Sequence, residues 1–323
     1  MKIAVVYNND FEGVINTFGI QNKEVYPMET IKAVQEALQQ GGHETALIEG
    51  NNRIIDSLSS FMPKISKGEV SGMVFNMAYG IQGENRYSHV PSILEMMGIP
   101  YVGSSPAGHV LALDKIVAKT IFFQQNLPTP KFWVFDEYNT DLSEVEFPAI
   151  VKPKMESISF GLNLVYNEKE LNEAVNKVFT TFQQSVLIEK YLPGREFAVC
   201  ILGNAHMEAL PVLEIDLKGK KFQNIDDKLV RPLPRICPAQ IPMSLENEMK
   251  TISLKAYRAL QMRDYARVDL RLDENGNVHI LEVNSMASLN PDGSFAIAAK
   301  VTGRNYNRLI NIILEHAWNR YFG

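Results

Sequence analysis

The order of hydrophobic and polar positions predicts alternating strands and helices over the first hundred residues. A buried strand is predicted at Lys2–Tyr7, where a β-branched run meets a polar Asn-Asn-Asp segment. A helix is predicted from Pro27 to Gly41, because apolar residues recur every three or four positions. The other elements predicted here are strands at 46–48, 73–75 and 99–102 and a helix at 91–97. Alternation of this kind favours a parallel sheet with helices on its faces.

The pattern changes after residue 104. The block from 105 to 190 predicts a small α+β subdomain, with helices at 104–126 and 168–182 and strands at 131–135, 148–153 and 186–189.

Two β-hairpins are predicted beyond that block, at 197–215 and 267–283, around Gly203-Asn204 and Asn275-Gly276. Between them, 218–238 is polar and rich in Gly and Pro, which predicts a long loop that acts as a lid. The remaining predicted elements are helices at 245–260, 295–301 and 306–321.

Composition narrows the class of protein. The 323 residues carry a net charge of −5, with 46% apolar and 21% charged residues, as in an ordinary soluble globular chain. Mild acidity argues against nucleic acid as a partner, since that binding needs a basic face. Cys200 and Cys237 form no metal-ligand pair, and no secretory signal or membrane span of about 20 apolar residues is present, so we expect a cytoplasmic protein. The P-loop, the dinucleotide fingerprint and the serine-hydrolase elbow are missing, and the six histidines show no ligand spacing.

The second hairpin carries a polar cluster. Strand alternation places Arg267 and Asp269 on one face of the first strand, and Glu282 and Asn284 on one face of its partner. The residues predicted for the opposite face are Val268, Leu270, Leu281 and Val283. Carboxylate and amide oxygens suit Mg²⁺, and Glu282 could bridge two ions. The alternative is a solvated face with a salt bridge, although burying such charges is costly unless they are paired or bind metal.

Cations and hydroxyls that suit a nucleotide triphosphate occur between these elements. Lys115 lies near the start of a helix and Lys152 ends an apolar strand, although a solvated position is the alternative for each. The loop 154–161 offers small hydroxyl side chains that could donate to phosphate. Backbone amides at 187–192 could bind an adenine edge, and Glu196 could accept from ribose hydroxyls.

In this order, these residues resemble the ATP-grasp superfamily and, more closely, the D-alanine–D-alanine ligase family, over nearly the whole chain. The motifs that carry the resemblance are YGIQGEN (79–85), GIPYVGS (98–104), DK (114–115), VKP (151–153), EKYLPGREF (189–197), CPA (237–239), RVD (267–269) and EVNS (282–285). The resemblance implies an ATP-grasp fold of mixed α/β and α+β class. Its implied subdomains are 1–104, 105–190 and 191–323, with a lid at 216–238 and ATP held between the second and third.

The resemblance also implies roles for individual residues. The implied nucleotide ligands are Lys115, Lys152, Ser159, Glu189, Lys190, Tyr191, Leu192 and Glu196. The implied ligands of two Mg²⁺ ions, with Mn²⁺ as an alternative, are Asp269, Glu282 and Asn284. The implied catalytic residues are Arg267, which steadies an oxyanion with the help of backbone amides near Ser288, and Glu24, which holds a substrate ammonium.

The chain departs from the family pattern on the amino-acid side. A tyrosine replaces the usual His at position 79, and Ile158 replaces a serine of the phosphate loop. The lid's usual Lys-Tyr is matched only by Lys221-Phe222, and Asn-Thr-x-Pro-Gly becomes Asn-Ser-Met-Ala-Ser at 284–288.

The function implied is an ATP-dependent ligase that joins a carboxylate to an amine through an acyl phosphate. The implied partners are amino-acid or amine substrates and a second copy of the chain, with no nucleic acid or membrane. The rewritten amino-acid side leaves two alternatives: a nucleotide-binding regulatory protein without turnover, and a kinase-like enzyme that phosphorylates a carboxylate or other acceptor.

Overall fold

A computed structural model describes residues 1–9, 17–18, 22–62, 72–137 and 140–323, without the side chain of residue 229. The first elements are β1 (Lys2–Tyr7), α1 (Met28–Gln40), β2 (Glu44–Glu49), α2 (Ile54–Phe61), β3 (Gly72–Met77), α3 (His89–Met97) and β4 (Tyr101–Val102). The four strands pair in parallel in the order β2-β1-β3-β4, which confirms the predicted parallel sheet. Helix α2 was not predicted.

The single helix predicted at 104–126 is wrong. The chain forms α4 (Pro106–Leu113) and α5 (Lys115–Gln124), which meet at Asp114. Asp114 is extended, and its carboxylate accepts from the backbone N–H groups of Ile116 and Val117 at 3.0 and 3.1 Å. A capping carboxylate of this kind satisfies the first free donors of a helix, so it starts α5 there. Lys115 thereby becomes the first residue of α5.

The second sheet is antiparallel and carries one long helix. Its elements are β5 (Phe132–Phe135), β6 (Ala149–Pro153), β7 (Asn163–Val165), α6 (Glu168–Phe182) and β8 (Val186–Lys190). The strand order is β5-β8-β6-β7. Helix α6 has the predicted bounds and buries the predicted apolar face, whereas the short strand β7 was not predicted.

The third sheet has six antiparallel strands. Its elements are β9 (Glu196–Leu202), β10 (Glu208–Ala209), β11 (Leu213–Ile215), α7 (Ile225–Leu229), β12 (Arg235–Ile236), α8 (Met243–Ala259), β13 (Tyr265–Leu272) and β14 (Val278–Asn284), and α9 (Ser294–Val301) and α10 (Tyr306–Phe322) close the chain. The order is β12-β11-β9-β13-β14, with β10 also on β9. The predicted loop 218–238 is therefore partly ordered, since it contains α7 and β12.

The register of β13 and β14 sets the polar face of this sheet. Asp269 pairs with Glu282 and Arg267 with Asn284, which brings the two predicted polar faces together. The register then shifts, because Leu270 pairs with residue 280 and Leu281 is left over as a bulge. The prediction that Leu281 lies on the opposite face is wrong; it lines a cavity on the polar side.

The opposite face of the third sheet is apolar. Val268, Leu270 and Val283 are buried there in a cluster that includes Met249 and Tyr257 of α8. Burial of this face against α8 leaves the other face of the sheet free to form a site. Within the described ranges, no helix has the length and apolar character needed to span a bilayer.

Candidate active site

A first cavity lies between the second and third sheets. Its lining contains all eight candidate nucleotide ligands: Lys115, Lys152, Ser159, Glu189, Lys190, Tyr191, Leu192 and Glu196. Asp269 and Glu282 line the same cavity. Residues up to 167 positions apart in the chain thus converge because α5, β6, β8, β9 and the β13–β14 hairpin border one cleft.

A buried ion-pair cluster forms one wall of the first cavity. One carboxylate oxygen of Glu189 contacts Lys119 Nζ and the other contacts Lys152 Nζ. Glu189 is 3% exposed and Lys119 is 1% exposed. Burial lowers the pKa of Lys119 to about 8, with Glu189 opposing the shift. Burial raises the pKa of Glu189, but the two lysines outweigh it, so that the pKa is lowered on balance.

Lys119 was missed in the sequence. It follows Lys115 by four residues, so both lie on the same face of α5. Its Nζ also donates to Thr129 Oγ1 at 2.7 Å. The signal available in the sequence was a second lysine four residues after Lys115, in a helix that a capping Asp begins. Two lysines with this spacing are, however, common on exposed helices.

Lys115 aims into the first cavity from the start of α5. Its Nζ donates to the backbone oxygen of Glu156 at 2.5 Å and lies 3.8 Å from Glu282 Oε2. Burial lowers its pKa, with Glu282 opposing the shift. The adjoining loop carries Ile158 and Ser159 at positive φ, 50° and 60°, a conformation rare for a β-branched residue. Both side chains line the cavity.

The backbone at the end of β8 offers one free donor. The N–H groups of Lys190 and Tyr191 donate to Lys131 O and Pro148 O, both at 2.9 Å. Among the residues described, the N–H of Leu192 meets no acceptor. Since an unpaired backbone donor beside a cavity is available to a ligand, Leu192 N–H is the hydrogen-bond donor of this edge.

The carboxylates of β13 and β14 form the junction of the site. Arg267 holds Asp269 with two hydrogen bonds of 2.6 and 2.8 Å, and Asn284 Nδ2 donates to Asp269 Oδ2 at 2.9 Å. Burial raises the pKa of Glu282, but Lys115, Lys228 and Lys152 outweigh it and hold that pKa at about 2.

This donor set fits a hard cation. In the described ranges, no group of three or more His, Cys, Asp or Glu side chains is placed to hold a metal. Asp269 and Glu282 face each other across the hairpin, and the Asn284 amide nitrogen is used, which leaves its oxygen for a ligand. Two carboxylates and an amide oxygen match the few protein ligands that Mg²⁺ takes beside phosphate oxygens.

A second cavity adjoins the first and shares Glu196, Asp269 and Glu282 with it. It is lined by Glu24, Arg267, Asn284 and Ser288, so the three candidate catalytic residues and the third candidate metal ligand border one space.

Aromatic side chains form a wall of the second cavity. Tyr26 and Tyr79 stack with ring centroids 4.7 Å apart, and Tyr26 OH donates to Ala287 O at 3.2 Å. Tyr87 OH donates to the Glu24 carboxylate. The tyrosine that replaces the usual His at position 79 therefore packs against the segment that carries Glu24.

The lid lysine that lines the two cavities is Lys228, and not Lys221, which the sequence suggested. Lys221 is exposed, and its Nζ donates to Tyr166 OH at 2.5 Å, outside both cavities. Phe222 lines the first cavity, and Lys228 of α7 lines both. Lys228 was missed because the reciprocal Asn224–Asp227 capping box turns the loop into a helix.

Comparisons with known proteins agree with this geometry. The family described as D-ala D-ala ligase C-terminus matches residues 121–315. A D-alanine–D-alanine ligase of Alcanivorax borkumensis is 31% identical over 289 residues, 89% of this chain and 88% of that protein. The uncharacterized protein y4sG of Sinorhizobium fredii is 44% identical over 332 aligned positions, 100% of this chain and 98% of that protein.

Solved structures give the same fold. The crystal structure of D-alanine–D-alanine ligase from Bacillus anthracis complexed with ATP has a TM-score of 0.79 at 23% identity, over 99% of this chain and 98% of that one. The fold and the cleft between its second and third sheets define an ATP-grasp protein. Within that class, the chain belongs to the D-alanine–D-alanine ligase family.

Proposed function

We propose that the protein is an ATP-dependent ligase that joins the carboxylate of one amino acid to the amine of a second substrate. The observation that carries the proposal is that the two cavities share Asp269 and Glu282. A nucleotide in the first cavity and an acceptor in the second would therefore meet at these two carboxylates. The named D-alanine–D-alanine ligases among the relatives support this reaction class.

On the nucleotide side, we assign charge neutralisation of the phosphates to Lys115 and Lys152, since phosphoryl transfer depends on positioning and positive charge. Glu189 keeps Lys152 oriented by its ion pair. The free N–H of Leu192 binds the base edge beside the backbone of 189–191, and Ser159 donates to phosphate. Glu196, held by Arg271 and Gln223, accepts from the ribose.

Asp269, Glu282 and Asn284 would hold Mg²⁺, which supplies positive charge to the transferring phosphoryl group. Two ions agree with the family resemblance.

On the amino-acid side, Glu24 binds the ammonium of the first substrate. A carboxylate oxygen of that first substrate then attacks the γ-phosphorus of ATP, and ADP leaves. The amine of the second substrate then attacks the acyl carbon, inorganic phosphate leaves, and the amine loses a proton. Arg267 and backbone amides near Ser288 stabilise the oxyanion formed in that attack. We place this reaction in the cytoplasm, where ATP is available.

A pairwise screen of D- and L-amino acids and simple amines with ATP and Mg²⁺ tests the proposal. We expect release of ADP and phosphate that requires both substrates, stops with EDTA and yields a condensed product by mass spectrometry. Nucleotide binding by calorimetry without turnover across the panel would instead support a regulatory protein. A phosphorylated product without condensation would support a kinase.

The two lid lysines give a matched pair of variants. Lys228→Met is expected to lower kcat/KM about 10²–10³-fold, because it removes a cation aimed at developing negative charge. Lys221→Met removes the same charge from the same lid outside the cavities, and we expect less than about a threefold change. Steady-state kinetics on both variants check this. Equal losses would show that Lys228 has no special place at the reacting groups.

A further inference from the structure

An unpaired arginine faces the second cavity from the lid. Arg235 of β12 pairs with Ile215 of β11, and Ile215 also pairs with Glu196 of β9. Glu196 pairs in turn with Arg271 of β13. Cross-strand partners share a face of the sheet, so these side chains form one row on the cavity side. Arg235, Ile215 and Glu196 all line the second cavity.

Arg235 differs from the other arginines of this sheet face in having no anionic partner. Arg267 is held by Asp269, and Arg271 contacts Glu196 and donates to the backbone oxygen of Lys221 at 2.6 Å. Across the described ranges, the Arg235 side chain forms neither a hydrogen bond nor an ion pair, although it is only partly exposed. Burial lowers its pKa and Arg267 lowers it further by repulsion, while the Asp269 carboxylate only partly opposes the shift.

A cation left half-buried beside another cation is costly unless an anion completes the arrangement. Glu196, the acidic side chain in the same row, is already engaged by Arg271 and by Gln223 Nε2. Apolar side chains also line the cavity on this side, among them Ile215, the cross-strand partner of Arg235, with Ala198 and Pro232. Such surroundings suit a short methylene chain that ends in a carboxylate.

The second cavity also holds cationic and hydroxyl groups for the α-carboxylates that any amino acid brings. Arg267 and Ser288 line it, and Lys228 reaches it from α7. Arg235 therefore adds a third cation to a cavity that Arg267 and Lys228 already line.

We propose that Arg235 binds a side-chain carboxylate of one of the two substrates, so that the enzyme selects a dicarboxylic amino acid of the aspartate or glutamate type. This inference rests on the proposed ligase function and names the substrate class of its second cavity. A guanidinium suits the role because it binds a carboxylate with two parallel hydrogen bonds.

The experiment compares each acid with its amide of equal size. Aspartate, asparagine, glutamate and glutamine, in both chiralities, are offered in each substrate position with ATP and Mg²⁺. For the wild type we expect kcat/KM for the preferred acid to exceed that for its amide by at least about tenfold. Arg235→Gln should lower kcat/KM for the acid about 10–100-fold, mainly through KM, and leave the amide unchanged. Arg235→Lys should retain part of the preference.

Arg231→Gln is the matched control, since Arg231 is an exposed lid residue outside both cavities. Product formation without preference for an acid would overturn the inference and leave the ligase function standing. An equal loss for acid and amide in Arg235→Gln would also overturn it, because Arg235 would then bind the α-carboxylate. If no condensed product forms, calorimetry of the acids with Mg²⁺ and ADP tests the site by itself. Binding that depends on Arg235 would then support the carboxylate site and contradict the proposed ligase function.

Discussion

The Glu282→Gln variant is expected to lose ATP-dependent ligation by about 10³-fold or more, equal to about 4 kcal/mol of transition-state stabilisation, while remaining folded. Glu282 contributes one of the two β13–β14 carboxylates that line both cavities, and the surrounding lysines hold its pKa at about 2. The amide keeps the shape and removes the negative charge, so the cation site and its pairing with Lys115 weaken together. Phosphate release at saturating Mg²⁺, with circular dichroism to follow folding, measures both effects.

The same hairpin offers a control and a companion variant. Glu274→Gln alters an exposed carboxylate in the β13–β14 turn and should leave turnover unchanged. Asp269→Asn should match Glu282→Gln in its effect on turnover and also release Arg267, whose two hydrogen bonds end on the Asp269 carboxylate. Wild-type turnover in both cavity variants would remove the metal assignment.

The sequence predicted the parts of the site that local alternation controls. Strand alternation alone places Arg267 and Asp269 on one face of their strand, and Glu282 and Asn284 on one face of theirs. The pairing of Asp269 with Glu282 depends on the bulge at Leu281, because an unbroken register from the turn would set Asp269 opposite Leu281, and alternation carries no signal for a bulge. The single helix predicted at 104–126 failed for a related reason, since Asp114 acts as a cap within an otherwise helical pattern.

Long-range packing explains the residues that were missed. Lys119 is identical in pattern to an exposed helical lysine, and only the approach of β8 brings Glu189 to it. The sequence alone does not distinguish Lys221 from Lys228, since both lie in one polar loop. In the structure Lys228 lies in α7 and lines the cavities, whereas Lys221 donates to Tyr166. Side-chain chemistry can thus be predicted from residue type, whereas the choice among similar side chains depends on contacts between elements distant in the chain.

Lys119→Met is expected to lower the free energy of unfolding by about 3 kcal/mol, because breaking a buried ion pair leaves a charge without its partner. Glu189 is almost fully buried, and its carboxylate would then have only Lys152 as a contacting cation among the described residues. Methionine has nearly the same length as lysine, so packing against the neighbours of α5 is preserved. Urea unfolding followed by circular dichroism measures the change.

A double variant separates charge from shape in this cluster. Lys119→Met with Glu189→Gln removes both members of the pair, and it should recover part of the stability lost in Lys119→Met alone. Lys255→Met, on the exposed side of α8, should change the free energy of unfolding by no more than about 0.5 kcal/mol. If Lys119→Met is instead as stable as the wild type, the uncompensated carboxylate is not a cost to the fold.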